Sequence, residues 1–297
     1  MPSLKELRNR KRSVQATRKI TSAMKMIAAA KLRRAQEQAQ AGRPYADMIE
    51  DMIRDLSQKQ VTPVGMPTLL VGNGRSNIHL IVVATSNRGL CGSFNSSIVR
   101  YARRLMLQEQ GNGREIKIIC LGRRGRDQLR REFGPSILET VDALDKPRFR
   151  DAAALSQKLQ DLYAAGQFDL CTVVYNRFLS ALNQEVTAHR LIPFTPLPRA
   201  GQPEGVPQVD GLQAVYDYEP DETTVLAQLL PRNLNVQLYR AMLENAASEQ
   251  GARMTAMEGA TRNAEDMIRR LDLQYNRSRQ AYITNELIEI ISGAEAL

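Results

Sequence analysis

The 297-residue sequence contains no tryptophan, and aromatic residues make up only 5% of it. Large aromatic side chains usually dominate the core of a globular protein of this length. Apolar residues nevertheless reach 43%, so a folded core is possible and wholesale disorder is not expected. The shortage of aromatic residues therefore favours a chain in which much of the packing is helix against helix.

Cysteine and histidine are also scarce. The three cysteines, Cys91, Cys120 and Cys171, are too few for a disulfide framework and lack the spacing of metal ligands. This cysteine usage is typical of a reducing compartment. The two histidines, His79 and His189, are far apart in the sequence, which argues against a histidine-based zinc site. We therefore expect neither a metal nor another cofactor.

Long apolar runs are absent as well. No stretch of 18 apolar residues occurs, so the sequence predicts no transmembrane helix. The N-terminal segment MPSLKELRNRKR lacks the apolar region of a secretory signal. Its arginines are compatible with a transit peptide, but the segment continues directly into a strongly patterned helix. This continuity indicates mature protein.

Basic residues, by contrast, are concentrated at the N-terminus. Residues 1–34 contain eleven basic side chains and a single acidic one, Glu6, whereas the remainder of the chain is nearly neutral. The local net charge is +10, compared with +9 for the whole chain. A basic element of this kind predicts an acidic partner.

Two long helices are predicted, one at each end of the chain. Proline and glycine are absent from residues 3–41, which predicts a helix that continues to about Gln58. No proline follows Pro231, and residues 232–290 have a helical pattern throughout. At 1.5 Å per residue, this second helix would extend for roughly 90 Å. A helix of that length would protrude from a globule made by this chain.

The C-terminal helix carries a seam of apolar and small residues with alternating spacings of three and four, as in a coiled coil. The seam consists of Met254, Met257, Thr261, Ala264, Ile268, Leu271, Tyr275, Ser278 and Tyr282. On the N-terminal helix, Ile20, Ala23, Ile27 and Ala30 have a matching pattern. We therefore expect the two helices to pair in antiparallel orientation.

Between the two helices, segments typical of strands alternate with segments typical of helices, which predicts an α/β domain with a largely parallel sheet. A last strand over residues 185–194 is expected to lie antiparallel at one edge. The predicted fold is an α/β domain inserted between two long terminal helices that form an antiparallel coiled coil. Its expected parts are an N-terminal helix (1–60), a Rossmann-like domain (76–212) and a C-terminal helix (213–297).

Two alternative functions arise from individual segments. The stretch SNRGLCGSFN (86–95) is a glycine-rich turn between a strand and a helix, and such turns can bind phosphate. It matches neither common nucleotide-binding motif, so a structural turn is favoured, with Cys91 as a small packed residue. The basic N-terminal helix could bind nucleic acid, but its apolar face runs through the basic segment and no aromatic residues are interleaved.

Four segments resemble one protein family. They are ITSAMKMIAAAKLRRAQ (20–36), SNRGLCGSFN (86–95), ENAASEQGARMTAMEGAT (244–261) and ITNELIEIISGAEA (283–296). Their sequences and their order are similar to those of the gamma subunit of F-type ATP synthase. The resemblance is weakest in the middle domain beyond residue 96.

The resemblance implies a non-catalytic rotor subunit. In that family the terminal helices form a central shaft inside a ring of three alpha and three beta subunits. A proton-translocating membrane ring, the c-ring, turns the shaft, and the epsilon subunit binds beside it. Rotation couples proton flow to ATP synthesis or hydrolysis on beta. The implied location is peripheral, on the cytoplasmic side of a bacterial inner membrane, with no nucleic acid as a partner.

The resemblance also implies roles for particular residues. Residues that would contact the beta subunit or its ring are Met24, Lys31, Arg33, Arg34, Arg253, Gln280, Thr284 and Glu286. Residues of an apolar tip that would turn in a bearing are Leu287, Ile290, Ile291 and Leu297. Residues of a foot that would meet the membrane ring and epsilon are Arg43, Pro44, Tyr45, Tyr216, Tyr218 and Glu219.

Overall fold

The computed structural model describes residues 3–59, 67–142, 146–194 and 222–295. The elements within these residues are α1 (Leu4–Lys59), α2 (Thr68–Val71), β1 (Ile78–Ala84), α3 (Phe94–Gly111), β2 (Glu115–Leu121), α4 (Arg123–Phe133), β3 (Ile137–Val141), α5 (Phe149–Ala164), β4 (Leu170–Phe178), β5 (Gln184–Ile192) and α6 (Glu222–Glu295). The chain divides into two compact units. Residues 1–30 and 253–297 form the paired-helix unit, and residues 31–252 form the α/β unit.

Helix α1 confirms the prediction of a long N-terminal helix. Its first turn is capped by Ser3, whose hydroxyl oxygen accepts a hydrogen bond from the backbone N–H of Glu6 at 3.2 Å. The helix continues through Pro44, although proline lacks the N–H needed for one helical hydrogen bond. Beyond Pro44, within the α/β unit, the next turns of α1 are stabilised because they bury their side chains against the start of α6. The buried residues are Ala46, Ile49, Ile53, Leu56, Leu226 and Leu230.

The paired-helix unit is an antiparallel pair made by the first part of α1 and the last part of α6. On α6, three residues of the predicted seam that are spaced seven apart are buried: Met257, Ala264 and Leu271. The other seam residues up to Ser278 are half-buried. The heptad prediction for α6 is therefore confirmed over these residues, whereas Tyr282 is exposed.

The seam predicted on α1 is wrong. Ile20 and Ile27 are 60% and 58% exposed, and Ala23 and Ala30 are exposed as well. The buried residues of this part of α1 follow a different seven-residue register and are Leu7, Thr21 and Ala28. The physical reason lies in polar contacts that apolar periodicity overlooks: α1 and α6 are joined by ion pairs, and the Thr261 hydroxyl donates a hydrogen bond to the Thr21 hydroxyl at 2.8 Å.

The α/β unit contains a five-stranded sheet with the order β3-β2-β1-β4-β5. Neighbouring strands are parallel from β3 to β4, and β5 pairs antiparallel with β4 at the edge. Both features confirm the prediction. Strand β3 was not predicted, because its five residues carry only partial apolar character and follow α4 after a single turn.

Helices cover both faces of the sheet. Helices α3 and α4 pack on one face, where Ile98, Met106, Leu129 and Phe133 belong to one buried cluster with β1, β2 and β4. Helix α5 and residues 234–241 of α6 pack on the opposite face. This arrangement leaves the outer surfaces of α3 and α4 open to solvent.

The carboxylate of Asp169 ties together the residues that precede β1 and β4. It is buried and accepts hydrogen bonds from the Asn73 side-chain amide at 2.7 Å and from the backbone N–H groups of Asn77 and Ile78 at 2.8 and 3.1 Å. Burial by itself raises the pKa of Asp169, but the hydrogen bonds outweigh this effect and hold the pKa below its usual value. The ionised carboxylate therefore stabilises the folded state.

We expect Asp169→Asn to lower the free energy of unfolding at neutral pH by about 1–3 kcal/mol, because a side-chain N–H would then face hydrogen-bond donors. Since the folded pKa is depressed, the wild-type contribution is present above the unfolded pKa of about 3.9 and is lost as pH falls further. Urea denaturation of the wild type and of Asp169→Asn, at pH 7 and at a pH below 3.9, would measure this contribution. Equal losses at both pH values, or an equal loss in the exposed control Asp161→Asn, would contradict this account.

Candidate functional site

Part of the basic charge of α1 is neutralised inside the paired-helix unit. Acidic and phenolic side chains of α6 meet four of the eleven basic side chains in residues 1–34. The pairs are Lys11 with Asp272, Arg18 with Glu265 at 3.9 Å, Lys25 with Glu258 at 3.5 Å, and Arg8 with the Tyr275 hydroxyl at 2.9 Å. The expected acidic partner of α1 is therefore found partly within the same chain.

These pairs align the two helices more than they stabilise them. Their side chains are partly exposed, and exposed ion pairs contribute only about 0–1 kcal/mol each. However, the pairs share one antiparallel register. From Arg8 to Lys25 along α1, the partner on α6 moves back by the same number of residues, from Tyr275 to Glu258. Charges at the edges of a helix pair select orientation and register in this way.

The outward side of α1 in the same unit is apolar and basic. Ile20, Met26 and Ile27 are all more than half exposed. Lys19 is exposed beside them and has no ion-pair partner among the residues that the structure describes. Exposed apolar side chains grouped in this way mark a surface that another molecule covers. This side of α1 is thus a candidate contact surface of the unit.

The predicted ring-contact residues of the paired-helix unit differ in accessibility. Met24 and Arg253 are half-buried. Gln280, Thr284 and Glu286 are exposed on α6, and the Thr284 hydroxyl donates to the backbone carbonyl of Gln280 at 2.9 Å. Three side chains of this group are therefore available to a partner.

The end of α6 extends beyond the helix pair. In the register set by the ion pairs, the first residue of α1, Leu4, lies level with about Arg279. Every described side chain from Arg279 onward is exposed, including the predicted tip residues Leu287, Ile290 and Ile291. Leu297, the fourth predicted tip residue, lies outside the described residues.

The remaining predicted contacts belong to the α/β unit. Lys31 is half-buried, whereas Arg33 and Arg34 are exposed, and Arg33 also pairs with Glu37 at 3.2 Å. These three cations lie within four residues on α1. They form a compact positive group on one turn of the helix.

Only part of the predicted foot can be located. Pro44 and Tyr45 are exposed on α1, and the Arg232 guanidinium lies 5.6 Å from the centre of the Tyr45 ring. The backbone of Arg43 lies within α1, but the position of its side chain is not described. Tyr216, Tyr218 and Glu219 lie outside the described residues.

The glycine-rich turn after β1 is filled by its own side chains. The side-chain oxygen of Asn95 accepts a hydrogen bond from the backbone N–H of Ser86 at 2.9 Å, and the side-chain amide of Asn95 donates to the Ser86 hydroxyl at 2.9 Å. The same amide donates to the buried Cys91 sulfur at 3.2 Å. These contacts favour the structural interpretation of the turn.

Among the residues that the structure describes, no group of three or more histidine, cysteine or acidic side chains could hold a metal ion. His79 is buried with Nε2 at 2.8 Å from the Thr172 hydroxyl and Nδ1 at 3.2 Å from Glu109. Burial lowers the pKa of His79, and it lowers that of His189 to about 4. Both imidazoles are therefore neutral at pH 7. No helix in the described ranges is long and apolar enough to cross a membrane.

Sequence comparison identifies the family. Residues 3–297 match the family model described as ATP synthase. The chain is 51% identical to the ATP synthase gamma chain of Rhodospirillum rubrum over 299 residues, which cover 100% of both chains. It is 50% identical to the ATP synthase gamma chain of Chelativorans sp. (strain BNC1), with the same coverage. The chain belongs to the ATP synthase gamma-chain family.

Solved structures agree on the fold. The central stalk with c-ring of Tetrahymena thermophila mitochondrial ATP synthase contains a chain that matches with a TM-score of 0.60 and 27% identity. The match covers 81% of this chain and 99% of that one. A rotor chain of the Euglena gracilis mitochondrial enzyme has a TM-score of 0.67 at 18% identity, covering 94% and 98%. The predicted α/β domain between two long terminal helices is confirmed.

Proposed function

We propose that the chain is the central-stalk gamma subunit of the F1 sector of a bacterial proton-translocating ATP synthase. It rotates inside a ring of three alpha and three beta subunits and couples proton flow to ATP synthesis or hydrolysis on beta. The observation that carries the proposal is the family match over residues 3–297. The paired-helix unit supplies the physical basis for the role.

An antiparallel helix pair suits the transmission of torque, because two packed helices resist bending and twisting better than one. The exposed apolar side chains of α1 suit a surface that meets three ring positions in turn. Met26 is especially suitable, since methionine is flexible and polarizable and adapts to different neighbours. The positive charge of α1 would attract an acidic loop of beta from a distance.

The chain itself would be non-catalytic, with nucleotide chemistry on the partner subunits. In support, the turn after β1 is closed by hydrogen bonds among Ser86, Cys91 and Asn95. Its further partners would be the epsilon subunit and the c-ring of the membrane sector. The chain would be peripheral to the cytoplasmic face of the inner membrane.

Particular residues would carry the contacts. The ring contacts would involve Met24, Lys31, Arg33, Arg34, Arg253, Gln280, Thr284 and Glu286. The tip bearing would involve Leu287, Ile290, Ile291 and Leu297. The foot would involve Arg43, Pro44, Tyr45, Tyr216, Tyr218 and Glu219.

The decisive experiment combines purified alpha and beta subunits with and without this chain. ATP hydrolysis and the native mass of the complex are measured together. A complex of three alpha, three beta and one copy of this chain, with hydrolysis that depends strongly on the chain, is the expected result. Failure to form this complex at several salt concentrations would refute the rotor proposal.

The triple variant Lys31→Gln, Arg33→Gln, Arg34→Gln should bind the ring about tenfold more weakly at low salt. Each exposed ion pair contributes only about 0.2–1 kcal/mol, but three on one turn together approach the 1.4 kcal/mol of a tenfold change. Titrating the chain into alpha and beta while recording hydrolysis gives the affinity. The matched control removes three exposed cations of the α/β unit, Arg75, Lys146 and Arg150. Equal weakening by both triples would show that only net charge matters.

A further inference from the structure

The sequence contains the tetrapeptide Gly-Asn-Gly-Arg twice, at residues 72–75 and at residues 111–114. Asn73 and Asn112 are the only asparagines that a glycine follows directly. An asparagine before glycine loses its side-chain amide group more easily than any other, because glycine has no side chain to shield its backbone nitrogen. Since the same four residues surround both reactive bonds, a difference in reactivity between the two sites must come from the fold.

This reaction, deamidation, needs only the chain, hydroxide and water. Hydroxide removes the proton of the glycine backbone N–H, and the nitrogen attacks Cγ of the asparagine. A five-membered succinimide ring forms, and the side-chain nitrogen leaves as ammonia. Water then opens the ring at one of its two carbonyl carbons. Opening at Cγ gives aspartate, and opening at the main-chain carbonyl gives isoaspartate, whose main chain runs through the former side chain.

The fold restrains the side chain of Asn73 at both of its polar ends. The amide nitrogen donates to the carboxylate of Asp169 at 2.7 Å, and the oxygen accepts from the backbone N–H of Arg75 at 2.9 Å. The first bond is strengthened by charge, since Asp169 is ionised. Ring closure on Gly74 requires the side chain to leave both partners, and an aspartate product would face the Asp169 carboxylate. The fold therefore opposes deamidation here.

Asn112 has no such restraint. It is exposed at the end of α3, and its side chain forms no hydrogen bond with any residue that the structure describes. Gly113 is exposed too, and no atom lies within 4 Å of the position that a Cβ would occupy. Its backbone N–H donates to the Gln110 carbonyl at 2.9 Å, and this bond must open before ring closure. Hydrogen bonds at helix ends open more easily than those in the core.

We propose that Asn112 is a site of spontaneous deamidation and that the fold protects Asn73, although both lie in the same tetrapeptide. Either product adds a negative charge two residues from Arg114, whose guanidinium pairs with the buried Glu109 carboxylate. Isoaspartate also lengthens the main chain by one carbon between α3 and β2. The proposal is independent of the rotor role.

The test follows both sites in one sample of the full-length chain. The chain is incubated at mildly alkaline pH, and digestion at acidic pH stops the reaction before mass spectrometry of the two peptides. A parallel incubation in urea gives the rates without the fold. We expect Asn112 to react at least tenfold faster than Asn73 in the folded chain. The two rates should differ by less than twofold in urea.

Two variants assign the product and the protection. Isoaspartate is counted by the methyl groups that a protein isoaspartate methyltransferase transfers to the incubated chain. Asn112→Gln should lower this count at least tenfold, because glutamine would have to close a larger ring. Asp169→Asn weakens the restraint on Asn73, so that site should react severalfold faster while Asn112 keeps its rate. Circular dichroism verifies that both variants are folded.

Several results would overturn the proposal. One is an equal rate at the two sites of the folded chain, or a faster rate at Asn73. Another is an unreactive Asn112 in the folded chain over a period in which the chain in urea reacts. A tenfold difference that persists in urea would contradict protection by the fold. An undiminished methyl count in Asn112→Gln would assign the isoaspartate to another residue.

Discussion

Gly122→Ala is expected to destabilise the α/β unit by about 4 kcal/mol or more, or to prevent its folding. Gly122 lies between β2 and α4 with a φ of +99° and a ψ of 140°, a combination that costs a residue with a side chain about 1–3 kcal/mol. An alanine Cβ would also lie 2.5 Å from the backbone oxygen of Thr85 and 2.8 Å from its carbonyl carbon. The backbone of Thr85 cannot move aside as the end of a flexible side chain could. The clash therefore forces β1 and β2 to shift.

Gly113→Ala provides the matched control. Gly113 has a positive φ of 80°, but no atom lies within 4 Å of the added Cβ. It should therefore show the conformational cost alone, about 1–2 kcal/mol. Urea denaturation followed by circular dichroism measures both variants. If Gly122→Ala destabilises the protein no more than Gly113→Ala, the close approach at Thr85 is not what requires glycine.

Leu271→Pro should abolish most coupling between this chain and the ring while the α/β unit remains folded. Leu271 is only 5% exposed in the seam of the paired-helix unit. Proline in a helix interior costs about 3 kcal/mol or more, and the lost leucine side chain adds about 2–5 kcal/mol. This destabilisation affects the paired-helix unit, to which Leu271 belongs, and not the α/β unit. ATP hydrolysis by the reconstituted complex and hydrogen exchange of the strand amides measure the two effects.

Two further variants separate burial from helix breaking. Leu271→Ala removes buried side-chain contacts but keeps the helix, and it should cause an intermediate loss of coupling. Leu273→Ala removes an equally large side chain that is exposed, and it should change little. Loss of strand protection in Leu271→Pro as large as the loss of coupling would contradict the independence of the two units.

The sequence predicted the elements whose pattern is long and regular. The heptad on α6 was recognisable because Met257, Ala264 and Leu271 recur every seven residues over many turns. The parallel strands were recognisable because they are short apolar runs buried on both faces. The edge strand β3 lacked that signal, since an edge strand needs fewer apolar residues.

The α1 seam could not be predicted from apolar periodicity. Ile20 and Ile27 are more apolar than Thr21 and Ala28, yet the latter face α6. Thr21 also forms a hydrogen bond with Thr261, a contact between residues 240 positions apart. The acidic residues of α6 carried a usable signal, since Glu258, Glu265 and Asp272 recur every seven residues opposite the basic helix.

The register of the helix pair has a consequence for how this chain can vary. Because Leu4, the first residue of α1, lies level with about Arg279, the described residues of α6 after Arg279 do not pack against α1. A substitution in the seam must suit two helices at once, whereas a substitution at Ile283 or Ile290 must suit only what surrounds the tip. The end of α6 can therefore vary in sequence while the helix pair stays unchanged.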